Sequence, residues 1–179
     1  VSLAALLLIG PRYGRFKHNT PRSFSGSDMP LAIVGILILW LGWLGFNSGS
    51  LSTFNDTTPK IVLNTILAGA SGLLLPILMA WKREGQIPVE WITNGCLAGL
   101  VSVTASCHVI TPAQAIVIGA ISGLVMCAVE RLLVRYQIDD AVGAIPVHLG
   151  GGIWGTLAVA LFVPPERLGT GLSSIAQVG

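Results

Sequence analysis

The chain has 179 residues, of which 53% are hydrophobic and only 10% charged, with a formal net charge of +2. A soluble domain carries about a quarter charged residues, so this composition excludes one. No basic patch with interleaved aromatics accompanies the small positive balance, and no nucleic-acid partner is expected.

In chain order, Val1–Gly10 is apolar, lacks an initiator Met and has no basic n-region, so it reads as the tail of a preceding membrane span and not as a signal peptide. Charge-free runs follow over Met29–Asn55, Ile61–Trp81, Trp91–Val129 and Ala141–Pro165. Each is long enough for a hydrocarbon core of roughly 30 Å, which takes about 20 helical residues. The third run has room for two passes and is divided by His108–Pro112, with Thr111 placed to cap a helix and Pro112 at its first position. Five complete spans are therefore expected, near 30–51, 61–81, 92–108, 112–134 and 140–163. They should be helical, because lipid-exposed backbone must satisfy its own hydrogen bonds, and because the runs lack the alternation of barrel strands. Ser173–Gly179 reads as another helix just beginning, so an all-α piece truncated at both ends is expected.

Alternating spans place Arg12, Arg15, Lys17, Arg22, Lys82, Arg83, Arg131 and Arg135 on one side and only Lys60 and Arg167 on the other. This eight-to-two bias assigns loops 11–28, 82–90 and 131–139 to the cytoplasm of a multi-pass protein of the plasma (inner) membrane. Cys96, Cys107 and Cys127 lie in or at the ends of spans without CxxC spacing, and are expected to be buried free thiols. Gly95/Gly99, Gly119/Gly123 and Gly151/Gly155 repeat small residues one helical turn apart, which permits close helix approach. That spacing concerns packing and by itself points to no function.

Two stretches carry chemistry. In "DDAVGAIPVHLGGGIWGTLAV" (139–159) His148 is the one ionisable side chain between Ala141 and Pro165. On an α-helix Ala141, Ala144, Gly151, Gly152 and Gly155 fall within about 60° of it. The imidazole is then either a structural group bonded to a neighbouring helix or the lining of a narrow cavity; an ionisable group inside a span favours the second. In "LWLGWLGFNSGS" (39–50) Phe46 and Ser50 share a helix face with Gly42 and Trp43 at the outer end of a span. A ring below a hydroxyl there suits a small cation. An interfacial aromatic belt, to which Trp40 and Trp43 also contribute, is the competing reading.

Together, "GWLGFNSGS", "NGCLAGLVSVTASC" and "DDAVGAIPVHLGGGIWGTLAVALF", in this order on consecutive spans, resemble the ammonium transporter/Rh family. The likeness runs over nearly the whole chain, from the end of the family's fifth helix to the start of its eleventh. It implies that residues 1–179 are a partial ammonium transporter domain, half of an eleven-helix inverted-repeat fold, with three copies per assembly and a pore through each. It implies no catalytic residue, no cofactor and no metal, with ammonium or ammonia as substrate and the lipid bilayer as surroundings. Carried over by position, Ser50 resembles the hydroxyl of the outer site, with Phe46 and Trp43 beside it. Phe46 also resembles one of two stacked gate rings, His148 the second of paired pore histidines, and Asp140 a structural aspartate. Asp140 stands where a carboxylate can bond free N–H groups at a helix start. Asp139 is expected to be a solvated neighbour, and His18 and His108 loop residues. The chain departs from the family at Pro146, where many relatives have Gly, and at Leu149-Gly150.

The resemblance has a physical rationale. Ammonium is similar in size to potassium and charge enters an apolar lane at high cost, but ammonium alone can leave a proton at the mouth and pass as ammonia. A neutral imidazole deeper in can then exchange hydrogen bonds with it. Two rival classes remain. One is an ammonium sensor fused to a cytoplasmic signalling domain, or coupled to a cytoplasmic regulatory protein. The other is an intramembrane serine protease, for which Gly69-Ala70-Ser71-Gly72 fits a short GxSG pattern; fluorophosphonate labelling discriminates it.

Overall fold

The structure is a computed structural model that describes residues 1–17, 20–22, 24, 26, 28–51 and 53–168. A short helix α1 (Ser2–Ile9) leads through a minimal antiparallel hairpin, β1 (Phe16–Lys17) with β2 (Thr20–Pro21), into helix α2 (Met29–Gly49). Four helices follow: α3 (Thr58–Glu84), α4 (Val89–Val103), α5 (Pro112–Arg135) and, after a π-helical turn at Ile145–Gly150, α6 (Gly151–Phe162), with the single turn α7 (Pro165–Leu168) behind it. His18 and Ser173–Gly179 lie outside the described residues.

Local chemistry explains the boundaries. The Asp28 carboxylate accepts the Leu31 N–H at 2.9 Å and opens α2. At Thr111 a capping box forms as the expected cap and proline require: the hydroxyl accepts the Gln114 N–H, and the Gln114 side chain accepts the Thr111 N–H at 2.8 Å. Helix α3 stops at Gly85, whose φ of 66° a residue with a Cβ rarely adopts.

Four of the five expected spans are long and apolar enough to cross a membrane: Met29–Gly49, Thr58–Arg83, Pro112–Arg135 and Ile145–Phe162. Two boundaries need correction. Helix α4 ends at Val103 instead of 108, and its 15 residues reach only about 22 Å. A largely buried irregular turn, Thr104–Ile110, follows it. Buried irregular backbone needs its polar groups answered. Asn64 answers two of them, its Nδ2 donating to the Cys107 and Ile110 carbonyls at 2.8 and 3.1 Å. The last span begins at Ile145 and not 140, because Gly143 takes φ 72° and the chain bends before it.

Helix α3 is gripped between α4 and α5 along the glycine rows. A Cβ on Gly95 would stand 2.7 Å from the Gly72 carbonyl oxygen; on Gly99 or Gly119 it would collide with the Ala68 carbonyl, and on Gly123 with that of Gly72. On α6, a Cβ on Gly155 would meet the Ser102 carbonyl at 2.6 Å. The close approach expected of these spacings is thus realised. Around them lies the apolar core, with Ile61, Ala68, Val103, Ile110, Ile118 and Ala158 in one cluster and Ala98, Met126, Cys127 and Val147 in another. All three cysteines are buried free thiols.

The loops gather at two opposite ends. At one, Arg12 and Arg15 reach Asp139, and the Arg131 guanidinium lies 5.7 Å from the Trp91 ring centre. At the other, Lys60 donates to the His108 carbonyl at 3.4 Å and Arg167 to that of Val109 at 2.9 Å. This is the alternation on which the charge bias rests.

Candidate functional site

Helix α2 turns two different faces outward and inward at its end. Asn47 and Ser48 are buried, and the Asn47 Nδ2 donates to the Thr65 hydroxyl on α3 at 3.0 Å. Phe46 and Ser50, one turn apart, look the other way: Phe46 is 63% exposed and Ser50 is exposed too. The Ser50 hydroxyl donates to the Phe46 carbonyl at 2.8 Å. Its proton is thereby engaged, and its lone pairs remain to accept from a donor cation above the ring. Trp43 is half-buried, its indole N–H donating to the hydroxyl of Thr104, just past the end of α4, at 2.9 Å. It ties α2 to the broken end of α4, with its own donor already used.

His148 sits inside the π-helical turn and is exposed, with no hydrogen bond from its imidazole to any described residue. The face reckoned from an unbroken α-helix needs correction. Ala141 precedes the helix, while Gly151 and Gly155 are buried against Ala98 and Ser102 of α4. The widened turn swings the imidazole away from that packed side. No hydrogen bond joins His148 to Phe46, Ser50 or Trp43 among the described residues; what His148, Phe46 and Ser50 share is exposure.

Asp140 accepts the Ile145 N–H at 2.6 Å and the Val142 N–H at 3.4 Å, at the entrance to the turn that holds His148. Asp139 is not the solvated neighbour expected of it. It is buried, one oxygen accepting from the Arg12 backbone N–H and Nε at 3.0 and 2.7 Å, the other from the Arg12 guanidinium at 2.8 Å and from Arg15 Nε at 3.2 Å. The Arg12 hydrogen bonds hold its carboxyl down to about 2, and the pairing raises Arg12 in turn. Two arginines in one loop and an acidic doublet in another loop at the same end of the bundle are the signal that announces such a clamp. His108 occupies the irregular turn after α4, exposed as a loop residue. The Ser71 hydroxyl is buried and donates to the Ala68 carbonyl at 3.2 Å, on the α3 face that meets Gly119.

An all-helical membrane bundle with close glycine contacts and an exposed imidazole within a span belongs among polytopic membrane proteins in architecture. A model of the Ammonium Transporter Family matches residues 1–177, and the chain belongs to that family. It is 39% identical over 90% of its length to ammonium transporter Amt2 of Archaeoglobus fulgidus, covering 35% of that protein. Among solved structures it resembles one described as a sensor Amt protein, at 34% identity and TM-score 0.94, covering 99% of this chain and 45% of that one. Mep2 of Candida albicans, at 23% identity and TM-score 0.85, covers 99% of this chain and 43% of its own, and shares the fold. The chain spans about a third of the length of the curated relatives it matches.

Proposed function

We propose that this chain, which spans about a third of the length of its curated relatives, belongs to a protein that carries ammonium across the plasma (inner) membrane, as a trimer with a pore through each copy. In this reading Ser50, with Phe46 beneath it and Trp43 bracing the helix end, receives ammonium at the outer mouth. The ion gives its proton to water at the mouth, and ammonia passes Phe46 and exchanges hydrogen bonds with the His148 imidazole. Potassium has no proton to leave and is turned away. The observation that carries the reading is the match to the family over residues 1–177, joined to an imidazole without a hydrogen-bonding partner among the described residues on an otherwise uncharged span.

The test compares methylammonium and potassium flux in the full-length protein at matched membrane expression. His148→Ala is expected to lower ammonium flux without loss of assembly. His148→Asp is expected to admit potassium, because a fixed negative charge makes a bare cation tolerable in the lane. Ser50→Ala is expected to weaken apparent affinity by roughly tenfold, the scale of one hydrogen bond to a charged group. Wild-type rates and selectivity in both His148 variants would overturn the pore assignment.

The likeness to the sensor Amt protein, at the TM-score of 0.94 reported above, favours a second reading in which ammonium binding signals to a cytoplasmic domain or regulatory protein. A kinase or cyclase sequence fused to the same polypeptide, answering to ammonium, supports sensing; flux without signalling supports transport.

A further inference from the structure

We propose that Pro146 is a positioning residue for His148, acting through the π-helical turn that both residues share. The turn spans Ile145–Gly150, and the Gly151 N–H reaches back five residues to the Pro146 carbonyl as well as to those of Val147 and His148. The chain is held on either side of it. At the start, the Asp140 carboxylate accepts the Ile145 N–H; at the end, Gly151 is seated against Ala98 and Ser122. Between these anchors the number of residues per turn decides which way each side chain points.

Gly151 marks the packed face. Counting back at 3.6 residues per turn places Pro146 about 140° from Gly151 and His148 about 60° from it. Widening the turn to the i→i+5 pattern, roughly 4.4 residues per turn, moves Pro146 to about 50° and His148 to about 115°. The observed burial follows the second arrangement: Pro146 is fully buried while His148 is exposed. One change of register therefore seats the pyrrolidine ring in the core and turns the imidazole out of it.

Proline suits this place for two reasons. In the first turn of a helix its missing N–H deprives no carbonyl of a partner, and its fixed φ is already helical. Its ring is also an apolar group whose burial favours the widened register over the ordinary one. A glycine at 146 supplies no such ring, so the turn is free to tighten and carry His148 back toward α4.

The experiment uses the full-length protein with Cys96, Cys107 and Cys127 replaced by Ala. His148→Cys is combined with either Pro146 or Pro146→Gly and treated with a small methanethiosulfonate reagent, with Thr156→Cys on α6 as an internal standard. The labelling rate of Cys at 148 is expected to fall roughly tenfold in the Pro146→Gly background, on the scale of burying one small apolar ring. The rate at 156, beyond the turn, is expected to stay within about twofold. Pro146→Ala, with a smaller apolar group, is expected to fall between. An unchanged rate at 148, or an equal fall at 148 and 156, overturns the proposal. The functional consequence rests on the pore reading above: with His148 intact, Pro146→Gly is expected to lower maximal flux more than apparent affinity. The two ideas fail separately, since His148→Ala tests the pore alone and the labelling ratio tests the positioning alone.

Discussion

Replacing Gly123 by Ala tests whether α3 is held rigidly between its neighbours. A Cβ at 123 would overlap the Gly72 carbonyl oxygen and stand 2.9 and 3.0 Å from the Cδ and Cγ of Pro76. Ordinary contact lies near 3.5 Å, so α3 and α5 must part by about 1 Å. Helix α3 has nowhere to go, because on its other side Gly72 is pressed against the Gly95 carbonyl and the Gly99 backbone. Neither a carbonyl nor a proline ring can rotate aside as a long side chain would. Overpacking of this kind costs about 1–3 kcal/mol, against which alanine returns about 0.5–1 kcal/mol of helix propensity. A net destabilisation of about 1–2 kcal/mol is expected. Gly151→Ala is the matched control: its Cβ would find the Ala98 carbonyl at 3.2 Å and the Ser122 hydroxyl at 3.4 Å, which slight adjustment accommodates. Denaturant or thermal unfolding of the full-length protein in one detergent should rank Gly123→Ala well below Gly151→Ala. Equal stability of the two variants would refute the claim that backbone contact, and not glycine content, sets the spacing of α3.

Two further perturbations act at the ends of the bundle. Asp139→Asn is expected to loosen the Arg12 and Arg15 loop by about 1–2 kcal/mol, a modest figure because the Arg12 side chain is 48% exposed and screened by solvent. Its carboxyl is held down to about 2, so its stabilisation is complete above the ordinary carboxyl range near 4 and disappears as pH falls from there through about 2. Proteolysis of loop 11–28 should therefore be faster in the variant and, in both proteins, flat between about pH 5 and 8. Asn64→Leu leaves the Cys107 and Ile110 carbonyls without their shared donor, at about 1–3 kcal/mol for each buried group. Cys107, now 3% exposed, should become reactive to thiol reagents in that variant; continued protection would show that another group answers the broken span.

The spans were legible because their signal is local and long: a charge-free run and a Thr111-Pro112 cap suffice to place a helix wherever lipid forbids other backbone. The close glycine contacts were legible for the same reason, each pair being one turn apart on a single helix. The face that carries Phe46 and Ser50 also follows from an unbroken α-helix, and they are exposed together on α2. The face expected around His148 differs from the observed one because a 3.6-residue count does not hold through the π-helical turn. Gly143 and Pro146 flag an irregular start, but neither says how many residues the next turn will contain.

The remaining misses share a different cause. Asp139 and its partner Arg12 stand 127 positions apart, and Asn64 meets the end of α4 across 43 and 46. No periodicity connects such residues, and each in isolation looks like an ordinary polar side chain in or beside a loop. In a membrane protein that appearance is the clue. Water is absent from most of the interior, so a buried carboxylate or amide persists only where the fold delivers a partner. Arg12 and Arg15 supply one to Asp139, and two loose carbonyls supply one to Asn64. The imidazole of His148 receives none from the described residues, although it lies in the same apolar chain. His148 differs from Asp139 and Asn64 in being exposed, so it makes no such demand on the described residues, and the reading of it as a pore group rests on the proposal above and not on packing.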